Sequence, residues 1–237
     1  MKTRLFLIIM LACSIVFLST PPAMSWLYEW DDAVELDDWD FSKVQKEVKD
    51  GKLILNGEAR EAAYYKGVEK PEELGDYEVE AHARSMAGGY FAFHVRMNDP
   101  GQSFYLLEIS FGSNTVSAHS FVAGVSNEIT PGGNAARPKR PESKDIEDGK
   151  PAYIIKYSVE GDMIKYWLDG KLILVTEDDT WASGPPGLSP QANTMQYEWV
   201  RIDSIPEGEQ IPSTKKQLAV DGAGKLAVTW GTLKEIF

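Results

Sequence analysis

In three successive apolar runs every glutamate, histidine and arginine falls on one alternating set of positions. That spacing lets carboxylate, imidazole and guanidinium groups act together on one surface. The runs read YEVEAHAR (77–84), YFAFHVRM (90–97) and SFYLLEISF (103–111). In an extended chain alternate side chains share a face. Glu78, Glu80, His82 and Arg84 therefore lie opposite Tyr77, Val79, Ala81 and Ala83. His94 and Arg96 lie opposite Phe91, Phe93 and Val95, and Glu108 and Ser110 lie opposite Tyr105, Leu107, Ile109 and Phe111. His119 joins the polar side from 115–122, and Phe104 and Leu106 fall on it too. A hairpin turning near Ala87 sets Glu80 across from His94 and Glu78 across from Arg96, where opposite charges contribute roughly 0.2–1 kcal/mol. Two uses fit such a face. It is the solvated side of an antiparallel sheet with its charges paired, or Glu78, Glu80, His94, Arg96 and Glu108 form a ligand-binding set for hydroxyl groups.

Trp181, in the loop sequence EDDTWASG, extends that set. A loop indole can stack on a sugar ring while neighbouring carboxylates take the hydroxyls, or it can close the end of a sandwich. Trp167 and Trp199 lie within strand-like runs and read as core. Metal chemistry has less support. His82, His94 and His119 lack the close second histidine of a zinc site, so no metal residue is assigned. Calcium fits better with the acidic clusters Asp31-Asp32, Asp37-Asp38-Asp40 and Glu177-Asp178-Asp179, although none follows a fixed loop pattern. No G-x-S-x-G, H-E-x-x-H, P-loop or catalytic-cysteine signature occurs, and the catalytic assignment stays open.

The elements that must position these groups are strands. Runs at 52–56, 61–66, 77–84, 90–97, 103–111, 115–122, 152–159, 163–168, 171–176 and 197–203 are rich in Val, Ile, Tyr, Phe and Trp. Gly, Asp, Asn and Pro separate them. Gly161-Asp162 and Asp169-Gly170 supply the positive φ of tight hairpins, so 152–176 is a three-stranded meander. Residues 126–150 read as a long mobile loop. The pattern predicts an all-β antiparallel sandwich or barrel rather than a parallel α/β sheet.

Both ends differ from this body. Lys2 and Arg4 precede an apolar run to Leu18, then Pro21-Pro22 and Ala23-Met24-Ser25. This is the order of a secretory signal peptide cut near Ser25. The apolar run is shorter than the ~20 residues that span a bilayer, so the mature chain is expected to hold no transmembrane segment. The cut removes the single cysteine and two basic residues, taking the formal charge from −12 to −14. That charge disfavours nucleic acid and anionic lipid as partners. Residues 26–205 form the expected sandwich, and 206–237 form a polar linker and a short tail.

Several of these segments, in order, resemble the concanavalin A-like, laminin-G-like jelly rolls. They are an acidic, Trp-bearing start (DDWDFS), a strand after glycine (DGKLILNG), the meander DYEVEAHAR…GGYFAFHVR…FYLLEI, the hairpin YSVEGDMIKYWLDGKLIL, a glycine loop (SGPPGLS) and a closing YEWVRID. Bacterial members include 3-keto-disaccharide hydrolase-like domains, family 16 glycosidases and glycan-binding modules. The resemblance implies a jelly-roll sandwich and a carbohydrate partner. Two departures weaken the catalytic branches. The E-x-D-x-x-E strand of family 16 is missing, with only Glu108 in YLLEISF. Ala87-Gly88-Gly89-Tyr90 stands where the hydrolase-like domains carry Asn-Ser-Gly. The expectation is a secreted, periplasmic or cell-surface domain that binds a glycan without catalysis. The alternatives are a glycoside hydrolase or lyase, and a structural cell-envelope or adhesion protein that finds its partner through the 218–237 tail.

Overall fold

The computed structural model describes residues 24–87, 89–99, 102–203 and 217–219. Its strands, in chain order, are β1 (Met24–Tyr28), β2 (Trp39–Asp40), β3 (Gln45–Lys49), β4 (Lys52–Gly57), β5 (Ala63–Tyr65), β6 (Tyr77–Ser85), β7 (Tyr90–Asp99), β8 (Ser103–Ser110) and β9 (Thr115–Val122). They continue as β10 (Val125–Glu128), β11 (Asp145–Glu147), β12 (Lys150–Glu160), β13 (Met163–Leu168), β14 (Lys171–Glu177), β15 (Gly187–Ser189), β16 (Asn193–Asp203) and β17 (Gln217–Ala219). Two antiparallel sheets result. The ten-stranded sheet runs β14-β13-β12-β6-β16-β1-β17, with β11 on β12, β4 on β16 and β3 on β4. The seven-stranded sheet runs β10-β9-β8-β7-β15-β5-β2.

Period-two alternation builds the interior. Tyr77, Val79, Ala81 and Ala83 of β6 face Phe91, Phe93 and Val95 of β7 and Tyr105, Leu107 and Ile109 of β8 in one core, all at most 2 % exposed. Each such large side chain contributes roughly 1.5–3 kcal/mol when removed from water. The expected meander is present as β12-β13-β14, with Gly161, Asp169 and Gly170 at positive φ in its turns.

Three expectations need correction. The strands β6 and β7 do not form a hairpin; they lie in different sheets. Both present apolar sides to the interior, so they stack across it instead of pairing edge to edge. Glu80 consequently pairs in register with Lys156 and Arg201, and His94 with Leu106 and Gly187. Residues 126–150 are not a bare loop. The Ala123-Gly124 and Asp148-Gly149 turns, all at positive φ, fold β10 onto β9 and β11 onto β12. Trp167 and Trp199 sit half-buried on the outer side of the ten-stranded sheet, not in the core. There Lys156 Nζ lies 4.9 Å from the Trp167 ring centre, and Trp199 stacks on His82.

The expected cut near Ser25 falls within β1, which pairs with β16 and, through its first residues, with β17. The remainder of the signal segment, residues 1–23, and the rest of the linker and tail after Asp203, apart from 217–219, lie outside the described residues.

Candidate functional site

The sequence set divides between two surfaces and the interior. Glu78 and Glu80 project from the outer side of the ten-stranded sheet, where Lys156 Nζ lies 2.8 Å from Glu78 and Arg201 Nη2 lies 2.8 Å from Glu80. Arg201 also donates to Asp203 at 2.8 Å. His82 stands between Glu198 (2.7 Å) and Asp145 (2.9 Å), while Lys52 reaches Glu198 at 3.0 Å and Arg84 reaches Asp145 at 3.1 Å. Neighbours on the same surface thus take up these charges.

His94 and Arg96 do not share the open face that alternation assigned them. A register shift follows Val95, and Arg96 adopts a left-handed φ of 47°. Its guanidinium turns to one end of the sandwich, 1 % exposed, and donates to the carbonyls of Gly75, Gly161 and Trp181 and to the Asp76 carboxylate. Gly184 allows the 181–186 segment to pack on this bulge, because a Cβ there would meet the Arg96 carbonyl carbon at 2.6 Å. Arg96 therefore ties four segments together. His94 is fully buried, lies 3.9 Å from Phe104 in a stacked pair, and has no hydrogen-bond partner for either ring nitrogen among the described residues. Burial pushes its pKa down to about 3, so the ring is neutral near pH 7. Trp181 closes the sandwich end, its indole N–H donating to the Phe121 carbonyl at 3.1 Å.

Of the residues singled out from sequence, Glu108 and the covered His94 belong to the outer side of the seven-stranded sheet, and Glu108 is the one left partly open there. The registers align Ala92, Glu108 and Ser117 in one row, and His94, Leu106, His119 and Glu128 in the next. Burial raises the Glu108 pKa, and Gln191 donates to its carboxylate at 3.0 Å. Glu128 accepts two hydrogen bonds from Arg137, at 2.7 and 3.1 Å, and these hold its pKa below the usual carboxylate range. His119 is pushed down by burial and contacts Ser117 at 3.2 Å. Tyr90, 46 % exposed, offers a ring on the same side. Beside this polar group Phe104 and Phe121 stack at 4.8 Å, buried together with Ala92, Leu106 and Met97.

Two loops reach over this face in strained conformations. Arg60 (φ 69°), Gln191 (φ 49°) and Ala192 (φ 57°) are all left-handed without being glycine. The Arg60 guanidinium lies 5.0 Å from the Phe121 ring centre, and its amide donates to the Gln191 side chain at 2.8 Å. Such conformations cost about 1–3 kcal/mol each and gather at ligand clamps. Sequence reasoning passed over Arg60, Tyr90, Glu128, Arg137 and Gln191. The Ala123-Gly124 turn signal would have placed Glu128 beside His119. Nothing local in the sequence marks Arg60 or Gln191, which meet the site across 131 residues of chain separation from each other.

In each acidic cluster offered for calcium at least one carboxylate already has a partner within the chain. Asp32 caps a 3-10 turn at Val34, Asp40 accepts from the Ser42 amide and the Tyr64 hydroxyl, and Asp178 accepts from Tyr105. Among the described residues no group of three His, Cys, Asp or Glu side chains could hold a metal ion.

No family model matches the chain, and no curated protein matches it in sequence. Solved structures do match its fold. The carbohydrate-binding module CBM66 of Bacillus subtilis is 17 % identical with a TM-score of 0.51, over 70 % of this chain and 92 % of that one. A Bacillus subtilis protein of unknown function with a galectin-like fold is 13 % identical with a TM-score of 0.53, over 76 % and 94 %. The GH43 protein BlXynB of Bacillus licheniformis is 12 % identical with a TM-score of 0.53, over 76 % of this chain but 39 % of that one. At these identities the likeness concerns architecture. The chain folds as a two-sheet antiparallel jelly-roll sandwich.

Proposed function

We propose that the outer side of the seven-stranded sheet binds a carbohydrate. One observation carries the reading: Glu108, His119, Glu128, Arg137 and Gln191 converge on one sheet face beside the exposed Tyr90 ring. Sugar recognition needs this combination, with planar polar groups for hydroxyls and an aromatic surface for the C–H side of the ring. Matched structures that include a carbohydrate-binding module support it by fold. A glycan array followed by calorimetric titration, with calcium present, tests the reading. Glu108→Gln and Arg137→Ala should each weaken the selected glycan at least tenfold. Absence of any glycan hit, or full affinity in both variants, would overturn it.

A second reading has its own observation. The environment of Glu108 raises its pKa while Arg137 lowers that of Glu128, and carboxyl pairs with separated acidities serve as acid and base in glycoside hydrolysis. Release of reducing ends from an array hit, lost in both Glu108→Gln and Glu128→Gln, would favour hydrolysis over binding alone. The reading includes export: the first 25 residues are taken as a signal peptide, and N-terminal sequencing of the mature protein from an expressing cell should begin near residue 26.

A further inference from the structure

The ten-stranded sheet carries a recess on its outer side, in the other sheet from Glu108. Two hairpin turns stand over its outer side, Asp50-Gly51 between β3 and β4 and Asp148-Gly149 between β11 and β12, each with both residues at positive φ. Between them lies a cavity of 260 Å³. Its floor is one register row, Arg84, Gln196 and Ile54, on β6, β16 and β4. Lys49, Lys52 and Lys150 line it from the hairpins, so four cationic side chains meet at one recess of a chain whose formal charge is −12.

The acidic side chains there do not cancel them all. Asp50 and Asp148 occupy the first positions of their turns, where a left-handed φ favours Asp for backbone reasons. Glu147 lies 3.4 Å from Arg84, and Lys52 is held by Glu198. Lys49 and Lys150 are in no ion pair among the described residues. Arg84 is 5 % exposed, and its Nε has no partner although Nη1 and Nη2 do. At 0.15 M salt the screening length is about 8 Å, so a ligand entering the recess feels its own lining, four cations against the carboxylates of Asp50, Glu147 and Asp148, more than the rest of the negative surface.

We infer that this recess binds an oxyanion carried by an acidic polysaccharide, a uronate carboxylate or a sulfate ester, with Lys49 and Lys150 taking the charge above Arg84. Ile54 and Met86 supply the apolar wall on which the adjoining sugar ring rests. The recess relies on the carbohydrate reading only for the nature of the polymer; the anion contacts belong to residues outside the Glu108 surface.

The test is affinity electrophoresis of the mature chain through gels holding polygalacturonate, dextran sulfate or neutral dextran, with inorganic sulfate as competitor. Retardation by one acidic polymer and not by dextran is expected, falling steeply as salt rises. Lys49→Ala with Lys150→Ala should reduce that affinity at least tenfold. These side chains project from strand ends at the rim, so circular dichroism should remain that of the parent chain. The loss caused by Lys49→Ala with Lys150→Ala should be of the same size in a Glu108→Gln background, which separates this site from the one on the seven-stranded sheet. Three results would overturn the inference: no retardation at low salt, equal retardation in the double variant, or complete displacement by millimolar inorganic sulfate, which would mark a simple ion site.

Discussion

The two outer faces of the sandwich arise from the same alternation of polar and apolar residues, yet they handle charge differently. On the ten-stranded sheet each glutamate of the central rows has a cation within 3.0 Å: Glu78 with Lys156, Glu80 with Arg201, Glu198 with Lys52. On the seven-stranded sheet Glu128 is likewise held by Arg137, but among the described residues Glu108 accepts a hydrogen bond from the Gln191 amide alone, and the neighbouring strands bury Phe104, Leu106 and Phe121 beneath loop side chains. A paired ladder satisfies itself and leaves little for a ligand. A half-buried carboxylate beside aromatic rings, held by one neutral donor, keeps capacity for a new partner.

Truncation tests that contrast most strongly. Phe104 is fully buried between His94 and Phe121, so Phe104→Ala should cost about 3–5 kcal/mol through lost burial and a cavity. Trp167→Ala, the larger deletion on the opposite outer face, should cost less because its ring is only half-buried. Urea denaturation of both variants is the measurement. A smaller loss for Phe104 than for Trp167 would erase the distinction between a covered and a solvated face.

Acid provides the next test. The His94 pKa is depressed to about 3 in the folded chain, so the unfolded chain binds the extra proton first as pH falls. The contribution is complete above an unfolded pKa of about 6.5 and is lost progressively as pH drops towards the folded value, at about 1.4 kcal/mol per pH unit. Between pH 6.5 and 4 the loss is on the order of 3 kcal/mol, and His94→Leu should flatten that limb of the stability curve. Equal acid sensitivity in the variant would show that His94 is not the buried neutral group described.

How much of this was legible beforehand depends on the range of the interaction. Alternation sorted Phe91, Phe93, Val95, Tyr105 and Leu107 into the interior, because side-chain direction in a strand depends only on position parity. Parity failed at Arg96, where a bulge with positive φ turned the side chain to the sandwich end. It also could not say that β6 and β7 belong to different sheets, since a short connection serves either a hairpin or a step across the interior. Glu78 and Glu80 were therefore grouped with Glu108 although a whole core separates them. The loops that finish the candidate site were illegible for a related reason. Arg60 and Gln191 meet over Phe121 and Glu108 through contacts between distant parts of the chain, and neither carries a local motif.

Glu108 sharpens the comparison at a smaller scale. Burial raises its pKa, so its contribution to stability is fully present below the unfolded pKa and declines as pH rises through the folded value. Glu108→Gln removes that charge and retains an acceptor for Gln191. Thermal denaturation should show the variant equal to the parent chain at pH 4 and more stable than it at pH 7. A variant markedly less stable at pH 7 would mean that the carboxylate is held by more than one amide, as on the other sheet.

The smallest effect is expected where the contacts look most numerous. Glu80 and Arg201 are 2.8 Å apart with side chains 21 % and 23 % exposed, and Arg201 is shared with Asp203. A double-mutant cycle with Glu80→Ala and Arg201→Ala should return a coupling of about 0.2–1 kcal/mol, because water competes for both groups and Asp203 retains the arginine when Glu80 is removed. Salt at 1 M shortens the screening length to about 3 Å and should reduce the coupling further. The Phe104 effect, which comes from packing, should be left nearly unchanged. A coupling above 2 kcal/mol that persists in high salt would make the ladder a principal source of stability. The two faces would then differ in architecture but not in how firmly they hold their side chains.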